Sequence, residues 1–292
     1  MTHAIQILIL GLLLGGVYAL MASGLTLLFG VMRIVNLAHG AFIVLAAYGA
    51  YFIYRGLGWD PFLSLAVTMP GMFLLGIAVY RGLFPRIESL PRFGEMTVLL
   101  TFGLALVVEG LLSFFFTGTF RSTDPSYATE AILVGPVFIP KAQLFGSLTS
   151  LALLAGLWGF LFFTKTGYAV RATMQNRTAA QIVGVNVRRI STIAFGIGLA
   201  LAGASGSLVS FLFPFFPAKH WQWIAILLSL IVLGGLGSLK GAIIGALLLA
   251  VVSGFVSNQW GPTWSPMTFF LALFVILLLR PQGLFGKEGR IG

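Results

Sequence analysis

Residues 4–32 read AIQILILGLLLGGVYALMASGLTLLFGVM and contain no charged side chain. A helix of about 20 apolar residues crosses the hydrocarbon core of a bilayer, so this run is long enough for one complete span. It is also longer than the apolar core of a cleaved signal peptide, which has roughly 7–15 residues and follows a basic segment. The stretch therefore predicts a first transmembrane helix that is retained.

The composition of the whole chain extends this prediction to a multi-pass membrane protein. Of its 292 residues, 59% are hydrophobic and 8% are charged, and the mean hydropathy is +1.03. A soluble domain carries about 25% charged residues, so the excess apolar surface has to face lipid. The chain has no cysteine, which excludes disulfides and thiolate sites.

Apolar segments along the chain predict an all-α, polytopic bundle of eight or nine transmembrane spans. The segments are 5–31, 34–54, 61–83, 97–118, 143–163, 190–213, 222–238, 241–258 and 267–280. The last three are short, and the Gly-rich stretch 234–241 is a candidate for a break within a re-entrant pair. Since no hydrophilic stretch is long enough for a separate soluble domain, residues 1–292 are expected to form a single transmembrane domain.

The charges between the spans predict the orientation of the chain in a bacterial inner (plasma) membrane. Residues 164–190 carry five basic side chains and no acidic one, so the positive-inside rule puts them in the cytoplasm. A nine-span chain with an outer N-terminus satisfies the other loop charges, whereas an eight-span chain needs one segment to enter and leave by the same face. The net charge of +10 is explained in this way and does not indicate nucleic-acid binding. Trp221, Trp223, Trp260 and Trp264 are expected at outer span ends as interfacial anchors.

Motifs for nucleotide hydrolysis and for catalysis are missing from the sequence. The nearest match to a phosphate-binding loop is GGLGSLKG at 234–241, in which Lys240 is not followed by a hydroxyl residue. His3 and His220 are expected at membrane edges, His39 stands alone among apolar residues, and the seven acids are scattered. This pattern offers no acid–base pair or metal site, so we expect a transport subunit with no enzyme activity, cofactor or metal of its own.

The segment 164–190 contains small apolar residues among its charges, such as Ala172, Ile182 and Val183. Such a stretch can form a short helix whose apolar face lies on the membrane surface or fits a groove on a partner. A solvated loop explains the charges equally well, but it does not explain their alternation with apolar residues. We therefore expect 164–190 to be a cytoplasmic coupling loop or helix.

A short motif in this segment, Thr178-Ala179-Ala180-x3-Gly184, resembles the Glu-Ala-Ala-x3-Gly loop of ABC importer permeases. That loop docks into a cleft on the ATPase, and here Thr178 stands in place of its acid. The resemblance implies that the ATPase-coupling residues are Arg171, Arg177, Thr178, Ala179, Ala180 and Gly184.

Four further motifs resemble the permease family of branched-chain amino acid ABC transporters, in the expected order over nearly the whole chain. They are GGVYAL at 15–20 with GLT at 24–26, IVNLAHG at 34–40, GGLGS at 234–238 with Gly241 and Gly245, and RPQGL at 280–284. Within that family the chain is similar to the shorter of two related permease subunits. The resemblance implies a fold closer to the larger, vitamin B12 importer-like permeases than to the maltose type.

The resemblance also implies a set of partners in a membrane complex. A second, related permease completes the pore, most simply as a heterodimer. Two ATPase subunits bind ATP beneath the pore, and a periplasmic binding protein delivers the solute. The substrate is then a branched-chain amino acid or a related small polar solute, and other amino acids, urea, amides and aromatic acids stay open.

Three polar residues within predicted spans are candidates for the translocation pathway. A carboxylate in a span is costly unless it is paired or faces water, so Glu109 either lines a pathway or makes a structural hydrogen bond between helices. Asn36 and His39 follow Arg33 near the inner face, where they either start or break a helix or contact the solute.

Two other kinds of transporter compete with this interpretation. A secondary transporter driven by ions needs intramembrane ionisable groups, and Glu109 is nearly the only acid on offer. A passive channel needs a carbonyl filter or a ring of charge, neither of which the sequence resembles.

Overall fold

The computed structural model describes residues 2–88 and 90–286, which fold into eleven α-helices and one β-hairpin. The helices are α1 (Thr2–Met32), α2 (His39–Leu57), α3 (Pro61–Ile87), α4 (Phe93–Phe116), α5 (Lys141–Phe163), α6 (Lys165–Gln175), α7 (Arg177–Ile182), α8 (Val187–Leu212), α9 (His220–Gly234), α10 (Leu239–Trp260) and α11 (Ser265–Leu279). The hairpin pairs β1 (Ala131–Val134) with β2 (Val137–Pro140). The predicted helical membrane bundle is confirmed.

The structure explains why the sequence allows both eight and nine spans. Eight helical segments of the described chain are long and apolar enough to cross a bilayer, namely α1 to α5, α8, α10 and the segment Pro262–Leu279 that contains α11. The ninth, α9, has 15 residues and is about 22 Å long, which is short of the roughly 30 Å hydrocarbon core. The non-α segment 213–219 connects the end of α8 to the start of α9.

The second span begins later than predicted, at His39 instead of residue 34. Residues 33–38 are mostly apolar but are not helical, and Arg33 has a φ of +56°. The Asn36 side chain accepts a hydrogen bond of 3.2 Å from the Ala38 amide, and the His39 amide donates one of 3.2 Å to the Asn36 carbonyl. Hydropathy predicted a helix here because it measures burial and not backbone conformation.

The helices α2 and α9 both begin inside the bundle, and their first residues touch. His39 donates from Nε2 to the Met21 carbonyl at 3.2 Å, and Met21 lies about 16 Å along α1 from its inner end at Met32. A Cβ atom on Gly40 would lie 2.6 Å from the carbonyl oxygen of His220. Two helix N-termini therefore meet at depth, as in transporters with discontinuous helices.

The helix α8 occupies the centre of the bundle and is the most buried of the candidate spans. A Cβ atom on Gly198 would lie 2.8 Å from Leu28 of α1, and one on Gly206 would lie 2.5 Å from Ala46 of α2. Small residues let these helices approach closely in a membrane, where no hydrophobic force drives them together.

The loop between α4 and α5 contains the hairpin, which is the part of the fold that departs from an all-α bundle. Gly135 has a φ of +59° and is followed by Pro136, an arrangement that suits a two-residue turn with glycine first. The hairpin is fastened to α1, because Gln6 exchanges two hydrogen bonds with the backbone of Phe138.

Two of the glycine-containing family motifs pack against each other at the inner end of α9. Within the stretch 234–241, residues 235–238 form a tight turn between α9 and α10, with Gly235 at φ +96°, and a re-entrant pair stays a prediction. The Leu284 amide from the 280–284 motif donates to the Leu233 carbonyl at 2.8 Å. These motifs fasten the C-terminal segment to the bundle.

Candidate coupling surface and solute pathway

The basic segment 164–190 folds back onto the inner end of α5 through a close contact at Gly167. The Thr164 hydroxyl accepts a hydrogen bond of 2.9 Å from the Gly167 amide and caps α6. A Cβ atom on Gly167 would lie 2.6 Å from the Cα of Leu161, so only glycine fits this bend. The helix α6 is thereby held against the membrane end of the bundle.

The helix α7 contains most of the motif shared with ABC permeases, and both of its ends are capped. Asn176 accepts a hydrogen bond of 3.0 Å from the Ala179 amide at the start. At the end Gly184 has a φ of +87°, and the Val185 amide donates to the Ala180 carbonyl at 2.9 Å, as in a Schellman cap. The glycine of the motif is thus required by the backbone turn.

The tip of α7 exposes apolar side chains at the end of the bundle that the loop charges predict to be cytoplasmic. Ile182 is 81% exposed and Val183 is 77% exposed. Thr178, Ala179 and Gly184 are exposed beside them, whereas Ala180 packs inward. Ile182 and Val183 were absent from the predicted coupling residues, although their apolar character within a charged segment was a usable signal.

Arg177 connects this segment to the neighbouring inner loop. Its guanidinium lies 3.9 Å from the carboxylate of Glu88, at the end of α3. Glu88 also accepts a hydrogen bond of 2.9 Å from the hydroxyl of Tyr80, which is buried in the bundle. Sequence reasoning found Arg177 but could not find its acidic partner, because 89 positions separate the two residues.

Arg171 lies apart from the exposed tip. Its guanidinium carbon is 4.1 Å from the ring centre of Phe162 and 4.8 Å from that of Tyr168. Such cation–π contacts hold the side chain against the bundle. Among the predicted coupling residues, the exposed tip therefore brings together Thr178, Ala179 and Gly184.

Glu109 of α4 forms a polar cluster with the start of α9. Its Oε2 accepts a hydrogen bond of 3.0 Å from His220 Nε2 and another of 3.0 Å from Trp221 Nε1. The His220 side chain is fully buried and that of Glu109 is 22% exposed. The carboxylate lies about 10 Å along α4 from Phe116, in the outer half of the span. Glu109 thus makes the interhelical hydrogen bonds, and its place in a pathway stays a prediction.

Three residues of α9 do not lie where the sequence predicted. His220 was expected at a membrane edge, but it starts α9 inside the bundle against Gly40. Trp221 binds Glu109, and Trp223 is 2% exposed and packs on Phe213 with ring centres 5.1 Å apart. The prediction of interfacial anchors is wrong for these two tryptophans, because segment 213–219 carries them inward. Trp260 and Trp264 are exposed at the outer end of the bundle.

Asn36 and His39 are fully buried between helices. Asn36 orders the turn that precedes α2, and the His39 ring packs against α1, where a Cβ atom on Gly24 would lie 2.9 Å from its Cε1. Within the described residues, Asn36 Nδ2 and His39 Nδ1 have no hydrogen-bond partner. The structure therefore gives both residues a local role, and solute contact stays a prediction.

The fold and these surfaces define a class: a multi-pass helical membrane protein with a basic inner face that presents a short helix. A sequence model of the family described as "Branched-chain amino acid transport system / permease component" matches residues 7–278. The chain belongs to this family. It is a permease subunit of an ABC importer in the inner membrane.

Named relatives are similar in sequence to this chain over most of its length. It is 30% identical to the probable branched-chain amino acid transport permease protein LivH of Methanocaldococcus jannaschii, over 77% of this chain and 72% of that one. It is 27% identical to the high-affinity branched-chain amino acid transport system permease protein BraD of Pseudomonas aeruginosa, over 98% and 96%. The LivM permease protein of Escherichia coli is 28% identical over 78% of this chain but only 58% of its own length.

A solved structure shares the fold. PsaBC from Streptococcus pneumoniae, in complex with Fab, superposes with a TM-score of 0.50 and covers 97% of this chain and 94% of its own. The sequence identity is 13%, so this likeness concerns the arrangement of helices alone.

Proposed function

We propose that this chain is the shorter of two permease subunits and that its importer carries a branched-chain amino acid or a closely related small solute. The names of LivH and BraD, whose lengths it covers almost completely, support this choice. Escherichia coli has two permease proteins named for one such system, LivH and LivM, and both are similar to this chain. A heterodimer with a longer, related permease is therefore the assembly we favour.

The exposed apolar tip of α7 is the observation that carries the proposed mechanism. Two large aliphatic side chains that face water next to basic residues are costly unless a partner covers them. We assign this tip to the cleft of an ATPase subunit, with Thr178, Ala179 and Gly184 around it. Ala180 supports the helix from inside, and Arg171 and Arg177 act by positioning the segment. ATP is bound by those partner subunits, and this chain has no ATPase site of its own.

The solute pathway is expected to run along the face that carries Glu109. Phe102 and Leu106 are exposed on the same face of α4 as Glu109. A partly exposed carboxylate there would be unfavourable against lipid, so this face suits contact with a second permease and a watery path between the subunits. The free oxygen of Glu109 could then receive the ammonium group of an amino acid. Asn36 and His39 would act further inward on the same route.

A reconstituted system tests the proposal. The chain, its co-encoded permease, the two ATPases and the solute-binding protein are placed in vesicles, and uptake of labelled leucine is measured. We expect uptake that requires ATP and binding protein and survives an uncoupler. Uptake by this chain alone on an ion gradient would instead identify a secondary transporter. Calorimetry on the co-encoded binding protein identifies the solute independently of the permease.

A further inference from the structure

A narrow crevice lies at the inner end of the bundle between α5 and α10, and of its lining residues only Arg171 has a place in the function proposed above. Its volume is about 220 Å³ and its lining is almost entirely apolar. Leu154, Leu157 and Leu161 line it from α5, and Ile243 lines it from α10. Both helices pack against α1.

Positive charge is concentrated at the cytoplasmic end of this crevice. Arg171 of α6 and Lys240 in the first turn of α10 both line it, and the described residues bring no carboxylate to its lining. The N-terminus of α10, capped by Ser238, adds partial positive charge at the same end. The Nε of Arg171 is buried and has no hydrogen-bond partner within the described residues.

The depth of the crevice corresponds to the inner leaflet. Trp158 lines it and is 51% exposed. This residue lies about 8 Å along α5 from the inner end at Phe163, where an interfacial tryptophan is expected. Apolar walls thus continue into the acyl region, while the two cations lie at the level of the headgroups.

We propose that this crevice binds an anionic phospholipid of the inner leaflet. Its phosphate lies between Arg171 and Lys240, and one acyl chain lies along the leucines of α5. A small free anion would leave the apolar walls empty, whereas an uncharged lipid would not use the cations.

Such a lipid would connect the coupling segment to the spans. The crevice is bounded by α5, α6 and α10 together, and Met174 of α6 also packs on Gly30 at the inner end of α1. A bound lipid would therefore hold α6 in place, so that the anionic content of the inner leaflet affects how firmly the ATPase-facing segment is attached.

The test measures quenching of Trp158 fluorescence by brominated lipids in vesicles that contain the assembled transporter. The contribution of Trp158 is the difference between the native chain and the Trp158→Phe variant. Phosphatidylcholine vesicles receive brominated chains on either phosphatidylglycerol or phosphatidylcholine. Each cation near the surface favours an anionic lipid about fivefold, so we expect a clear preference for brominated phosphatidylglycerol.

Matched variants show whether the two lining cations cause this preference. Arg171→Gln with Lys240→Gln should reduce it by roughly 25-fold, to near parity. Arg188→Gln with Arg189→Gln removes the same charge from exposed positions outside the crevice and should preserve the preference. Arg171→Lys with Lys240→Arg keeps both charges and should preserve it too, which separates loss of charge from misfolding.

Four results would overturn the proposal. They are equal quenching by the two lipids, an equal loss in the Arg188 and Arg189 variant, displacement by excess inorganic phosphate, and protection of Trp158 by the partner permease. All four results are read from the quenching of Trp158 and not from ATP-dependent uptake. Failure of the lipid site can therefore be distinguished from failure of the proposed transport function.

Discussion

Replacing the apolar tip of α7 should uncouple the permease from its ATPase without unfolding it. Ile182 and Val183 are 81% and 77% exposed, so nearly their whole side chains are available to a partner. Full burial of a side chain of this size contributes about 1.5–3 kcal/mol, and four-fifths of that is roughly 1.2–2.4 kcal/mol each. Ile182→Ser with Val183→Ser should therefore weaken ATPase binding by about 2.4–4.8 kcal/mol, or roughly 50- to 3,000-fold.

The assay is a titration of the purified permease with its co-encoded ATPase, followed by ATP hydrolysis and uptake in vesicles. Ile182→Val removes one methylene and should weaken binding by ~0.8 kcal/mol, or about fourfold, which gives a graded series. Gln181→Ser changes an exposed polar neighbour and serves as the control. Thermal stability should hardly change, because exposed substitutions usually stay within about 0.5 kcal/mol. Unchanged binding in the double variant, or equal weakening by Gln181→Ser, would refute the assignment.

Substitutions at four further positions test other parts of the structure. Arg177→Glu should reduce coupling by placing like charges together, and a second change, Glu88→Arg, should restore uptake if their pairing is the cause. Gly184→Ala should destabilise the end of α7 by about 1–2 kcal/mol, because alanine is strained at a φ of +87°, and lower ATPase affinity should report it. Glu109→Ala should lower the melting temperature, because it leaves the buried Nε2 of His220 without its acceptor, which costs ~1–3 kcal/mol. Glu109→Gln retains an acceptor and should stay folded, and reduced leucine uptake in it would support a pathway role.

The sequence predicts the class of this fold well, because hydropathy is an additive property of the residues; the orientation stays a prediction from the loop charges. Seven of the nine predicted segments begin within three residues of the helix or helical segment that they match, except for 34–54, where α2 starts at His39, and 97–118, where α4 starts at Phe93. Hydropathy detects any chain segment that is removed from water. The basic segment 164–190 was likewise recognisable from its charge alone.

The parts that the sequence could not predict depend on depth and on contacts between distant residues. Hydropathy does not separate lipid from protein interior, so it did not show that α9 starts beside Gly40. For the same reason Trp223 was expected at an interface although it is buried in the core. The pairing of Glu109 with His220 joins residues 111 positions apart, and a single sequence carries no signal for it.

The attachment of α6 and α7 to the bundle indicates how movement at the tip reaches the spans. On one side Gly167 and Met174 pack closely against α5 and α1, and close-packed contacts transmit strain. On the other side the connection to α3 is the partly exposed pair of Arg177 and Glu88, and such pairs contribute only ~0–1 kcal/mol. The contact with α3 is thus the easier one to break. A pull on α7 should therefore reach α1 and α5 through α6, and it should reach α3 mainly through α8, which packs against α6, α7 and α3.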